Sequence, residues 1–355
     1  MRSLTYVAVG FGAIIGVALL LPSPINSAAT TPSTPQLLDG AYAPNDMLQS
    51  AQMTLLPAGV HGGEDVALDS KGCRYTGVDD GSILKLCSGG EDAGRWQTVA
   101  NTQGRPLGLA MTPSDELIIA DGVRGLLKWT HEGTLQVLAD HYQGEALGVV
   151  DDVDIGNDGT IYFSDASTHW PLAQYLNDAL EARPSGRLFA LKPSGELTLL
   201  ADDLAFANGV AVSSDQSFVL VNETYRYQIT KVFLTGDRKG EKAIFADGLP
   251  SIPDGIARAA DSSFWVAMYA LRSPVLDALH PYPWVKNQMA KLPSSLLPVP
   301  PAYGLIVQFS AQGEVLQSLH DRAAVTVGNV TSVQPEDDGL HLGTLHSGAI
   351  GVLRF

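Results

Sequence analysis

Four oxygen-bearing residues stand at the same point of a recurring pattern. Glu64, Asp151, Asn208 and Asp254 each precede an apolar stretch that reads as a strand. Three carboxylates and one amide carbonyl form a hard-oxygen donor set, suited to a divalent cation whose remaining positions are filled by water or substrate. Calcium tolerates an irregular mix of carboxylate and amide oxygens better than magnesium, so calcium is the expected ion, with another divalent cation as the alternative. Taken singly, each acid would read as an ordinary turn carboxylate; their shared phase makes them a set. Asp65 and Asp152 follow two of the four and would support a second ion, orient the first, or close turns. Asp254 and His169, in the run SDASTHW, are the candidate catalytic residues, with His61 as a further candidate base, because an imidazole exchanges its proton near neutral pH. A histidine on the rim with no catalytic role is the plainer alternative.

Residues so far apart in the chain meet only if the fold brings them to one axis, and the repeats indicate such a fold. A strand, a polar turn and a second strand recur as GGEDVALDSKGCRYTG from Gly62, RPLGLAMTPSDELIIAD from Arg105, VDDVDIGNDGTIYFSD from Val150, ANGVAVSSDQSFVLVNE from Ala207, PDGIARAADSSFWVAM from Pro253 and VTSVQPEDDGLHLGTL from Val330. The equivalent positions Val66, Leu109, Val153, Val210, Ile256 and Val333 are spaced by 43, 44, 57, 46 and 77 residues, room for four short strands per repeat and for inserted loops. The expected fold is therefore all-β: a six-bladed β-propeller over residues 51–355, in which strand entrances from different blades converge on a central channel. A β-helix or a two-domain β-protein fits the repeat lengths less well. The longest insertion, residues 271–301 in blade five, alternates apolar residues with prolines and predicts short helical pieces. It would serve as a lid, pack at the side, or meet a membrane or a subunit.

Ahead of the propeller, residues 5–21 read TYVAVGFGAIIGVALLL without a charge, at the lower length limit for a membrane span. Residues 1–21 are expected as an N-terminal apolar helix, either a signal-anchor or a cleaved signal peptide, with an ordinary buried helix as the third reading. Either of the first two puts the rest of the chain outside the cytoplasm, membrane-anchored, secreted or periplasmic. Residues 22–50, rich in Pro, Ser, Thr and Ala, are expected as a flexible linker. Cys73 and Cys87 flank a predicted hairpin turn near Asp79-Asp80-Gly81, where a cross-strand disulfide fits in an oxidising compartment and two small buried side chains fit otherwise.

The balance of 22 Lys and Arg against 38 Asp and Glu gives a net charge of −16, which repels a phosphate backbone and excludes nucleic acid as a partner. The same charge would draw cations to an acidic cleft or simply keep the surface soluble. The absence of GxSxG, HExxH and GxGxxG patterns argues against a serine-hydrolase elbow, a zinc-peptidase helix and a dinucleotide site.

With these residues assembled, the chain resembles the strictosidine synthase-like and adipocyte plasma membrane-associated protein family, within the wider gluconolactonase, senescence-marker and paraoxonase-like six-bladed propellers. The stretches that carry the resemblance are GRPLGLA at 104–110, FANGVAVSSDQSFVLVNETYRYQI at 206–229, PDGI at 253–256, the insertion around Trp284 and TSVQPEDDGLHLGTL at 331–345. The resemblance implies a channel metal on the residues matching Glu64, Asn208 and Asp254. It supports Asp151 at a position where relatives commonly carry Asn, a change that adds negative charge. It also implies a membrane anchor or secretion. The glutamate used for amine condensation in true strictosidine synthases has no placed counterpart, so that condensation is the lesser expectation. The expected activity is calcium-dependent hydrolysis of a small-molecule lactone or aryl ester, with a noncatalytic extracytoplasmic binding or scaffold propeller as the alternative.

Overall fold

A computed structural model describes residues 21–297 and 299–354. Six four-stranded antiparallel sheets follow one another around a ring. Blade one comprises Ala67–Leu68, Arg74–Gly77, Ser82–Leu86 and Trp96–Asn101, from the axis outward. The inner strands of blades two to six are Pro106–Met111, Val150–Ile155, Ala207–Val212, Ser251–Arg258 and Val330–Glu336. The positions that mark the repeat in the sequence occupy equivalent registers: Leu109 faces Ile119, Val153 faces Phe163, Val210 faces Val221, Ile256 faces Val266 and Val333 faces Leu342.

Ring closure comes from the two ends of the fold. Gln52–Leu55 pairs with Ala349–Leu353 as the outermost strand of blade six, Gln52 opposite Val352. An outer strand supplied from before blade one ties the last sheet to the first by backbone hydrogen bonds, so neither end can fray independently. Between blades the core is apolar and aromatic. Phe218, Phe245, Phe264 and Phe309 pack together between blades four and five, and Phe163 stacks on Phe189 at 5.3 Å within blade three. Fully burying each such ring contributes about 2–3 kcal/mol.

Three short helices interrupt the sheets: α1 (Tyr175–Glu181) between the second and third strands of blade three, and α2 (Pro274–Leu279) and α3 (Pro283–Met289) in the blade-five insertion. Proline opens α2 and α3, where its missing N–H costs no helical bond. Among the described residues no helix is long and apolar enough to cross a membrane. The apolar helix expected at residues 1–21 lies outside the described residues except for Leu21.

Residues 22–50, expected as a flexible linker, are instead laid against the ring. Ile25, Tyr42 and Leu48 are buried. Asn26 N–H donates to Glu181 Oε1 at 2.8 Å, Gln36 N–H to the Gly248 carbonyl at 2.7 Å, and Asn45 Nδ2 to the Ser318 carbonyl at 2.9 Å. Isolated apolar residues, each with a pocket of its own, hold a segment whose composition alone resembles a tether. Cys73 and Cys87 form the cross-strand disulfide, flanking the paired residues Arg74 and Leu86. Such bonds persist in oxidising compartments.

Candidate functional site

Five of the six inner strands break register at their entrance, between Pro106 and Leu109, Val150 and Val153, Ala207 and Val210, Pro253 and Ile256, and Val330 and Ser332. A bulge frees the intervening residues from the ladder and re-aims their side chains. Those residues include Asp151, Asn208, Asp254 and Thr331, and all four line one axial channel of 290 Å³ together with Glu64. At blades four and five the freed polar residue is followed by glycine for a steric reason. A β-carbon on Gly209 would fall on the Asp254 carbonyl, and one on Gly255 would lie 2.6 Å from the Thr331 carbonyl. Each blade thus lays its backbone against the next.

The entrance backbones are fixed from behind. Thr331 Oγ1 donates to the Glu64 carbonyl at 2.7 Å, Asn222 Nδ2 to the Asp254 carbonyl at 2.5 Å, and Thr224 Oγ1 to the Pro253 carbonyl at 2.9 Å. Asp151 and Asn208 are buried, Glu64 and Asp254 half-buried. The Asn208 amide hydrogen-bonds the Asp254 carboxylate.

Burial dominates the electrostatics. It pushes the Glu64 carboxyl up to about 7, opposed by the Arg105 guanidinium and reinforced by the Asp65 and Asp79 carboxylates. Asp151 is held well above the ordinary carboxylate range by burial and then by the charges of Glu64, Asp254 and Asp152. Asp254 is raised by burial and by Glu64, with the Asn208 hydrogen bond pulling the other way. Three carboxyls from blades one, three and five therefore share a low-dielectric space and disfavour one another's ionised form. Among the described residues no three His, Cys, Asp or Glu side chains stand close enough to hold a metal ion as they lie. The donors nonetheless fit a hard cation in kind: oxygen only, from four blades, with excess negative charge.

Arg105, unmarked by the sequence patterns, is the counter-charge. Its Nη2 lies 3.1 Å from Glu64 Oε2 and 3.3 Å from Asp79 Oδ1, and its guanidinium also donates to the Gly62 and Pro106 carbonyls. Asp65 and Asp152 prove to be blade connectors. Asp65 accepts from Val66 N–H at 2.7 Å and from Leu109 N–H of blade two at 2.8 Å. Asp152 accepts from Val153 N–H and from Val210 N–H of blade four, and Asp154 repeats the device on Ile155 and Val212.

Neither histidine candidate lines the channel. His169 is exposed on the rim, where Nε2 lies 3.5 Å from Glu181 Oε2 and the ring meets Trp170 edge-on. His61 is exposed as well. A different pair stands nearer the acids: Tyr269 hydrogen-bonds His346 Nε2 at 3.0 Å, and its hydroxyl is pushed up to about 12 by burial, then by Tyr175, Asp254 and Glu64. Beside the acids, Leu107, Val149, Ala166 and Phe206 form an apolar cluster with Leu172 and Tyr225.

Comparison with known proteins places this architecture. A strictosidine synthase family model matches residues 151–237, and a strictosidine synthase-like N-terminal model matches residues 40–86. The chain is 33% identical to the adipocyte plasma membrane-associated protein of Salmo salar, over 94% of this chain and 85% of that one. It is 32% identical to the protein strictosidine synthase-like 10 of Arabidopsis thaliana, over 88% and 92% respectively. Among solved structures, a gluconolactonase from Xanthomonas campestris superposes with a TM-score of 0.61 at 16% identity, covering 94% of this chain and 99% of that one. Regucalcin from Agrobacterium tumefaciens, a calcium-binding protein, superposes with a TM-score of 0.57 at 14% identity, covering 85% and 91%. At these identities the two structures are similar in fold.

Proposed function

The chain belongs to the strictosidine synthase-like family that includes the adipocyte plasma membrane-associated proteins, and on that premise we propose that it is an extracytoplasmic, calcium-dependent hydrolase of a lactone or aryl ester. The observation that carries this proposal is the gathering of Glu64, Asp151 and Asp254 with Asn208 in one channel, where burial and mutual repulsion raise the carboxyls. Such a group is relieved either by protons or by a cation, so an ion bound there competes with protonation. Glu64, Asp151, Asn208 and Asp254 would hold the ion, and calcium bound there would polarise the carbonyl of the substrate as a Lewis acid.

The chain's own groups perform the remaining tasks. Asp254, whose carboxyl the channel holds above its usual range, receives a proton from the attacking water. His169, turned toward Glu181, is replaced in that role. Arg105 fixes the Glu64 carboxylate in place. Leu107, which lines the channel and packs with Phe206 and Tyr225 behind it, sets an apolar wall against the hydrocarbon part of the substrate. The fold shared with a gluconolactonase supports this class of chemistry, and the disulfide supports an oxidising compartment.

The noncatalytic alternative draws on the blade connectors Asp65, Asp152 and Asp154, which mark the axis as a structural seam. A screen of lactones and aryl esters under metal control separates the two. Turnover that disappears on chelation, returns with calcium, and is lost in Asp254→Asn and Glu64→Gln supports the hydrolase. Equal turnover in verified metal-free protein refutes calcium dependence, and an ion that stabilises without any turnover identifies the scaffold.

A further inference from the structure

Six of the sixteen large apolar side chains exposed among the described residues fall within one short insertion. Tyr282, Trp284, Leu296 and Val299 of the blade-five insertion are 61, 64, 66 and 70% exposed, and Val275 and Leu292 accompany them. Leaving that much hydrocarbon and indole in water is unfavourable, and such a concentration on a folded protein marks a contact surface. The insertion departs after Leu271, which pairs with Ser251 at the entrance of the inner strand. It therefore stands at the same end of the ring as the strand entrances that carry Asp151, Asn208 and Asp254.

The inward side of the insertion holds the incoming chain. Lys286 of α3 is fully buried and its Nζ donates to the Ala28 carbonyl at 2.8 Å. Ser27 N–H donates to Asn287 Oδ1 at 3.1 Å, and Thr30 N–H to the His280 carbonyl at 3.2 Å. Asn26 and Ala28 are bound in turn to Glu181 of α1. The uncharged apolar run of residues 5–21 ends five residues before Asn26. Five residues span roughly 17 Å even when fully extended. Whatever that run enters must lie close to α3. As the signal-anchor its length allows, that run enters lipid, and tryptophan and tyrosine are the side chains that favour the layer between lipid tails and water, since each joins an apolar body to a polar tip.

We propose that the blade-five insertion is a second lipid contact: Tyr282, Trp284 and the neighbouring apolar side chains lie in the headgroup layer of the bilayer that receives residues 5–21, turning the strand-entrance end of the ring toward the membrane. This contact is independent of which reaction the channel performs. It restrains the propeller at two points, the chain entry and the insertion, and so fixes its orientation where a single tether would leave it free to tumble.

The test uses the full chain reconstituted in phosphatidylcholine nanodiscs brominated near the headgroup end of the acyl chains, with tryptophan fluorescence as the readout. The exposed position of Trp284 makes Trp284→Phe a surface change compatible with folding. The contact is supported if bromine quenches wild-type emission and Trp284→Phe removes most of that quenching. It is supported further if Leu296→Asp with Val299→Asp, Trp284 retained, reduces it. Equal bromine quenching in wild type and Trp284→Phe overturns the proposal. So does Trp284 shielding that follows protein concentration in detergent without lipid, which would identify a second copy as the occupant.

Discussion

Glu64→Gln offers the sharpest thermodynamic consequence of the channel's electrostatics. In the metal-free protein the Glu64 carboxyl is raised from 4.5 to about 7, chiefly by burial. A raised carboxyl binds its proton more tightly in the folded chain than in the unfolded one. Its favourable contribution is complete below about 4.5 and is lost as pH rises to about 7, so folding stability falls across that window. At about 1.4 kcal/mol per pH unit, the displacement corresponds to about 3 kcal/mol. Glutamine cannot ionise and escapes the loss, while Arg105 keeps Asp79 and the Gly62 and Pro106 carbonyls as partners. Denaturant unfolding of chelator-treated full chain, wild type beside Glu64→Gln, measures the difference from pH 4.5 to 8. The variant is expected to gain about 3 kcal/mol on the wild type across the range. Saturating calcium is expected to restore the wild type at the alkaline end and to leave the variant less affected. Parallel pH curves for the two proteins would refute the raised, proton-binding state of Glu64.

Other consequences follow from the connectors and the disulfide. Asp154→Ala leaves the N–H groups of Ile155 and Val212 without their acceptor and is expected to cost about 2–4 kcal/mol in denaturant unfolding, with little change in calcium affinity. Cys73→Ser with Cys87→Ser opens a 14-residue span and is expected to cost about 3 kcal/mol through the freer unfolded chain, read as a lower denaturation midpoint in oxidising buffer and as no difference once the wild type is reduced.

The ring was legible in the sequence because its inner strands repeat a short-range signal. Leu109, Val153, Val210, Ile256 and Val333 each sit in an apolar pair of strands around a polar turn, and the structure puts each in the same register against its neighbour. The entrance residues were legible for a related reason. A bulge shows no hydropathy pattern of its own, but Asn208-Gly209 and Asp254-Gly255 place a polar side chain next to the glycine that lets the following blade approach. Arg105 carries no such mark, since its partner Glu64 lies across a blade boundary and only the closed ring makes them neighbours. The neighbourhood of His169 is set by α1, whose last residue, Glu181, the helix brings back beside it. Residues 22–50 resemble a tether in sequence because single buried residues such as Ile25 and Leu48 leave no periodicity, while the Pro and Ser around them match the composition of one. Closure by Gln52–Leu55 is likewise a property of the ring and not of the strand.

The most direct measurement is calcium binding by the full chain, followed by calorimetry from pH 5.5 to 8 in buffers of different ionisation enthalpy. One ion per chain is expected, with protons released on binding and affinity rising with pH, because Glu64, Asp151 and Asp254 must give up protons to receive it. Asp254→Asn is expected to weaken binding. No calcium uptake at any pH, or uptake unchanged in Asp254→Asn and without proton release, would contradict an ion held by these channel carboxylates.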